Sequence, residues 1–124
     1  MSIDISIADR GNDAKMVAVS GKLDAETSDT LESRLDELLT SPPKILVLDL
    51  DTLDYISSSG LRVIFKAIQA MEEGGGETLL VNLQPQIAKV FEVLNAPDAP
   101  VFPSLKKLDQ YLDSIQRDAT TRRQ

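Results

Sequence analysis

The seven-residue stretch KILVLDL, Lys44 to Leu50, constrains the fold more than any other segment. It is a continuous run of apolar β-formers with no polar alternation. A strand with one wet face alternates apolar and polar residues. A run without alternation needs cover on both faces, as in the middle of a parallel sheet. Parallel neighbours need long crossovers, usually helical, so this one segment implies helices before and after it.

The flanking sequence supplies them. Ile3, Ile5 and Ile7 alternate with polar residues, Gly11-Asn12-Asp13 is turn chemistry, and MVAVSG follows, so residues 2–21 read as a hairpin. KLDAET leads into a helix with Leu31, Leu35, Leu38 and Leu39 on one face and Asp24, Glu26 and Asp29 near its positive end. Ser41-Pro42-Pro43 stops it. Beyond the central run, Leu61, Ile64, Phe65, Ile68 and Met71 recur at helical spacing, and Gly74-Gly75-Gly76 ends that helix. TLLVNL is another strand. Pro85 opens a helix carrying Ile87, Val90, Phe91 and Leu94. A short edge strand is expected around Val101 and Phe102. Ser104 caps a last helix with Leu105, Leu108, Leu112 and Ile115 inside. The order predicts an α/β fold: a four- to five-stranded, mostly parallel (mixed) sheet with about four helices.

Composition removes whole classes of chemistry. The 124 residues fit one domain, expected over 1–117 with a flexible tail over 118–124. There is no cysteine and no histidine, hence no thiolate or imidazole ligand or base. No cofactor, metal site or catalytic residue is expected, and the chain is not expected to be an enzyme. Net charge is −7, and the basic pairs Lys106-Lys107 and Arg122-Arg123 make no stripe, which argues against nucleic acid and anionic membranes. No run approaches the roughly 18 apolar residues of a membrane span, and MSIDISIADR lacks a signal peptide's layout. A cytoplasmic protein, monomeric when free, is the expectation.

The unusual junction is YISSSGLRV, three serines between a buried strand and a helix. A helix start offers unpaired N–H groups, and serine is a favoured cap, so Ser57 or Ser58 serves as N-cap. One cap needs one serine. A nucleophile elbow would need G-x-S-x-G and a base; the leading glycine and any histidine are missing, and a lysine base, though conceivable, is not placed by the sequence. A phosphate-binding loop would need G-x-x-x-x-G-K-[ST], which is also absent. A phosphorylation switch fits, because a helix start tolerates the added charge and the effect falls on whatever docks there.

The combination of VSGKLDAET, LDLDTLDYISSSGLRVI and GGGETLLVNLQPQIAKVFEVLN resembles the STAS domain of bacterial anti-sigma factor antagonists, over about residues 3 to 116. The resemblance implies a single STAS domain that binds an anti-sigma factor with serine kinase activity and so releases a sigma factor. That kinase phosphorylates the serine two positions before the motif glycine, which is Ser58, and a PP2C-type phosphatase reverses it. Ser57 stands where many members carry Asp, which leaves Ser57 and Ser59 as rival phosphoacceptors. The implied partner-binding surface comprises Asp24, Ser57, Ser58, Ser59, Gly60 and Arg62. Asp24 matches the family's Asp after G-x-L and equally suits a helix cap. Arg62 and Lys66 suit an acidic partner or simply a wet helix face. The alternative role is a regulatory or structural STAS subunit of a larger transport or stress-sensing complex.

Overall fold

The computed structural model describes residues 3–93, 101–102, 106–107 and 110–111. Strands β1 (Ile3–Gly11) and β2 (Ala14–Leu23) form the expected antiparallel hairpin. Its turn places Gly11, Asn12 and Asp13 at φ of 82°, 54° and 61°. Glycine, asparagine and aspartate tolerate that left-handed region best, which is why they stand there. The Asp9 carboxylate accepts from the Gly11 N–H at 2.9 Å and from Lys15 Nζ at 3.2 Å, closing the turn.

The apolar run becomes β3 (Ile45–Asp49), parallel to β2 on one side and to β5 (Glu77–Val81) on the other. Ile45, Leu46, Val47 and Leu48 are all buried, as a run without alternation requires. Leu46 and Leu48 share one face with Val17, Val19 and Leu80, under the helices. Ile45 and Val47 share the other with Ala14, Leu79 and Val81, against which Met16 and Tyr111 pack. The expected edge strand is β6 (Val101–Phe102), parallel to β5. The main path runs β1-β2-β3-β5-β6.

One further strand was not anticipated. β4 (Leu53–Ile56) lies off that path and pairs in parallel with the second half of β2. Among the described residues the main path keeps the five strands expected, and β4 adds a sixth beside it. The chain leaves β3, kinks at Asp51 and Thr52, and resumes along β2. Only Leu53 of this strand is fully buried, so its sequence carries too little apolar pattern to announce it. Its ladder to β2 defines it, and that is a tertiary event.

Helices α1 (Ala25–Leu39), α2 (Ser58–Glu73) and α3 (Pro85–Val93) complete the described elements, three where about four were expected. The expected helix over 104–115 falls largely outside the described residues; Lys106, Lys107, Gln110 and Tyr111 are helical. The expected tail over 118–124, and with it the domain limit at 117, also lies outside them. Leu31 and Leu35 of α1 and Leu61, Ile64, Ala67, Ile68 and Met71 of α2 enter one core over β2, β3 and β5. Phe65 meets Phe91 edge to face, ring centres 5.6 Å apart, which ties α2 to α3. Gly75 takes φ of 82° just past α2, as the glycine stop predicts. Among the described residues no helix is long and apolar enough to cross a membrane.

Candidate functional site

Two helices start side by side at one end of the sheet. β2 ends at Leu23 and its parallel neighbour β4 ends at Ile56, and these two residues are Cα partners. The next residue of each strand is a helix cap: Asp24 for α1 and Ser57 for α2. The Ser57 N–H donates to the Leu23 carbonyl at 2.8 Å, locking the two starts together. The carboxyl ends of parallel strands are where open α/β sheets usually carry their sites.

At the α1 start, Asp24 Oδ1 accepts from the Thr27 N–H at 2.9 Å, and Thr27 Oγ1 accepts from the Asp24 N–H at 2.9 Å. This reciprocal capping box satisfies two orphan donors. The Thr27 N–H bond, then the Thr27 hydroxyl, hold the Asp24 carboxyl below its ordinary value. Ser28 Oγ donates to the Asp24 carbonyl. Of the two roles open to Asp24, the geometry shows the cap.

At the α2 start the three serines separate. Ser57 has extended backbone and its Oγ accepts from the Gly60 N–H at 3.1 Å, so Ser57 is the cap. Ser58 is the first helical residue and is exposed; Ser59 is half-buried. Among the described residues the Ser58 hydroxyl has no hydrogen-bond partner. The first turn of α2 holds no acidic residue, whereas that of α1 holds Glu26. The α2 start is thus a positive dipole end with no countercharge of its own.

Gly60 is buried. A Cβ there would stand 2.7 Å from Leu23 Cγ and 3.0 Å from Ile56 Cγ1. Its role is close packing of α2 onto the ends of β2 and β4, which sets where Ser58 stands. Arg62, one turn further, is exposed, with Nη1 3.7 Å from Glu32 Oε2 on α1. Lys66 holds the same Glu32 oxygen at 2.9 Å and lies 3.8 Å from Asp36. That hydrogen bond, above all, raises Lys66 and lowers Glu32 relative to their ordinary values. The wet face of α2 therefore faces α1 through a ladder of ion pairs. Among the described residues no cluster of acidic side chains is arranged to hold a metal ion.

One surface residue escaped the sequence reading. Tyr55 on β4 is 49% exposed and lies beside Lys22 in the β2 ladder, two residues before the cap. The available signal was an aromatic residue in a chain with only two tyrosines, placed directly before the serines.

Comparison with known proteins places this geometry. The model of the STAS domain family matches residues 6–108. BtrV of Bordetella bronchiseptica, provisionally named an anti-sigma factor antagonist, is 34% identical over 82 residues, 65% of this chain and 71% of its own. The anti-sigma-B factor antagonist of Listeria monocytogenes is 28% identical over 98 residues, covering 79% of this chain and 86% of its own. The crystal structure of an anti-sigma factor antagonist from Mycobacterium paratuberculosis superposes with a TM-score of 0.77 at 23% identity, over 93% of this chain and 95% of that one.

Proposed function

The chain belongs to the STAS domain family, and from that premise we propose that it is an anti-sigma factor antagonist switched by phosphorylation of Ser58. Relatives that carry the name of anti-sigma factor antagonist support the first half of this reading. The observation that carries the second half is the division of labour among the serines. Ser57 is spent on the cap, and Ser58 is exposed at a helix start without acidic neighbours in its first turn.

In the unmodified state Tyr55, Ser58, Ser59 and Arg62 form the docking face for an anti-sigma factor that is also a serine kinase. Asp24, Ser57 and Gly60 hold that face in shape. The kinase moves the γ-phosphoryl group of ATP onto Ser58 Oγ, releasing ADP and the hydroxyl proton. The product carries about −1.5 to −2 charges. The helix end accommodates that charge, so the fold persists. The partner must then desolvate a dianion at the centre of its contact, which breaks the complex. A PP2C-type phosphatase returns the serine by hydrolysing the ester. The free chain acts as a cytoplasmic monomer.

Incubation with the cognate kinase and ATP should add one phosphate, located by mass spectrometry on Ser58. Ser58→Ala should bind the partner as the parent does. Stoichiometric phosphorylation should weaken binding by about 100-fold or more, the scale of a buried like-charge or unpaired-charge penalty. Equal binding before and after modification would refute the switch. Partner capture within a large complex regardless of Ser58 would instead indicate the regulatory-subunit role.

A further inference from the structure

We infer that Arg62 is a built-in countercharge for a phosphate on Ser58, and that phosphorylation moves it from the α1 ion-pair ladder to the phosphate. The inference rests on the proposed modification of Ser58 and names what that modification does inside this chain.

Three observations converge. Ser58 and Arg62 are both exposed on α2 and stand four residues apart, so they are neighbours on one helix surface. A long helical side chain leans toward the N-terminus, over the turn that precedes its own Cα. For Arg62 that turn is the one that begins at Ser58. Finally, Arg62 is held loosely. Its Nη1 is 3.7 Å from Glu32 Oε2 and its side chain is 62% exposed. Lys66 holds the same oxygen at 2.9 Å, within hydrogen-bond distance. Glu32 therefore keeps a cation when Arg62 leaves, and no carboxylate is stranded.

Arginine also suits the acceptor. Its planar fork donates two parallel hydrogen bonds to a phosphate, which a lysine ammonium cannot match. The dianion offers more charge than the single Glu32 carboxylate shared with Lys66. The move is a rotamer change of an exposed side chain, with no backbone shift. It gives phosphorylation a second effect on the docking face: the chain gains a dianion and the partner loses access to the Arg62 guanidinium.

The test installs phosphoserine at position 58 of the full chain by genetic encoding, so that no kinase is needed. Parent and Arg62→Gln chains are compared with and without the phosphate. In the parent, the Arg62 side-chain nitrogen resonances should shift on phosphorylation, and the Lys66 resonance should stay. The change in melting temperature caused by the phosphate should be more favourable in the parent than in Arg62→Gln, by about 3 °C for a charge-assisted pair in a domain of this size. The difference should shrink in about 1 M salt. Arg62→Lys should restore part of it. Identical phosphate effects in both chains, with unshifted Arg62 resonances, would overturn the inference. Failure of a kinase to modify Ser58 would count against the proposed function and leave this pairing standing. Loss of partner binding on phosphorylation without coupling to Arg62 would do the reverse.

Discussion

The starts of α1 and α2 sit at the ends of adjacent parallel strands, joined by the hydrogen bond from Ser57 N–H to the Leu23 carbonyl. They are finished differently. The α1 start is closed by a carboxylate and a threonine in a reciprocal box, with Glu26 in the same turn. The α2 start is capped by one neutral hydroxyl and carries no acid in its first turn. Each start ties a helical N–H to its cap side chain, but only α1 also sets negative charge against the dipole. The contrast teaches that capping and charge compensation are separable. A helix start that is capped but uncompensated is stable in the resting state and still receptive to an added dianion.

The largest expected effect is at Gly60, where α2 seats on the ends of β2 and β4. Gly60→Val forces a side chain into Leu23 and Ile56, which already leave no room for a Cβ. We expect about 3 kcal/mol of destabilisation by denaturant titration, the upper range for overpacking a fitted contact. An unchanged midpoint would mean that α2 does not seat on Leu23 as described.

Ser57→Ala removes the only side-chain cap of α2 seen among the described residues and should cost about 1 kcal/mol, a drop of roughly 4 °C in Tm. Ser57→Asp should recover that stability, because it gives α2 the negative cap that α1 has. If Ser57→Asp were no more stable than Ser57→Ala, charge compensation would not be the distinction between the two starts.

Acid should separate the starts without any substitution. The Asp24 carboxyl lies below its ordinary value of 3.8 in the folded chain. Its contribution to stability is therefore complete above the unfolded-state value and is lost as pH falls through the lower folded value. The Thr27 amide resonance should titrate below pH 3.8, while the Gly60 amide, bonded to a hydroxyl, should show no comparable step. Asp24→Asn should abolish the Thr27 step. A Thr27 midpoint at or above 3.8 would show that the capping box does not favour the ionised form.

The smallest expected effect is at Ser58 itself. Ser58→Ala should change stability by no more than about 0.5 kcal/mol, because the hydroxyl is exposed and spends no hydrogen bond among the described residues. A larger loss would mean that Ser58 shares the capping role assigned to Ser57.

Much of this architecture was legible in the chain. The unbroken run at Lys44–Leu50 required a doubly covered strand, and helical spacing at Leu61, Ile64, Ile68 and Met71 required an inward face on the next helix. Both follow from periodicity, a local property. β4 was not legible, because Asp54 and Tyr55 are exposed and only the ladder to Gly21–Leu23 makes the segment a strand. The exposure of Tyr55 was hidden for the same reason. The serine triplet announced a cap without saying which residue, since boundaries shift by a residue according to how the strand before them ends.

The sequence by itself determined the alternation of strands and helices, the family resemblance and the position of a helix start with more hydroxyls than a cap needs. It took the tertiary structure to show that Ser57 is the cap and that the Ser58 hydroxyl has no hydrogen bond among the described residues. It also took the tertiary structure to show that Gly60 packs closely on Leu23 and Ile56, and that Arg62 is loosely shared with Glu32 on another helix. The physical reason is that each of these depends on partners distant in the chain. Leu23 approaches Gly60 and Ser57 across the β2–β4 ladder, and Glu32 approaches Arg62 across the α1–α2 packing. Periodicity tells a residue which way to face, but not which neighbour it will meet.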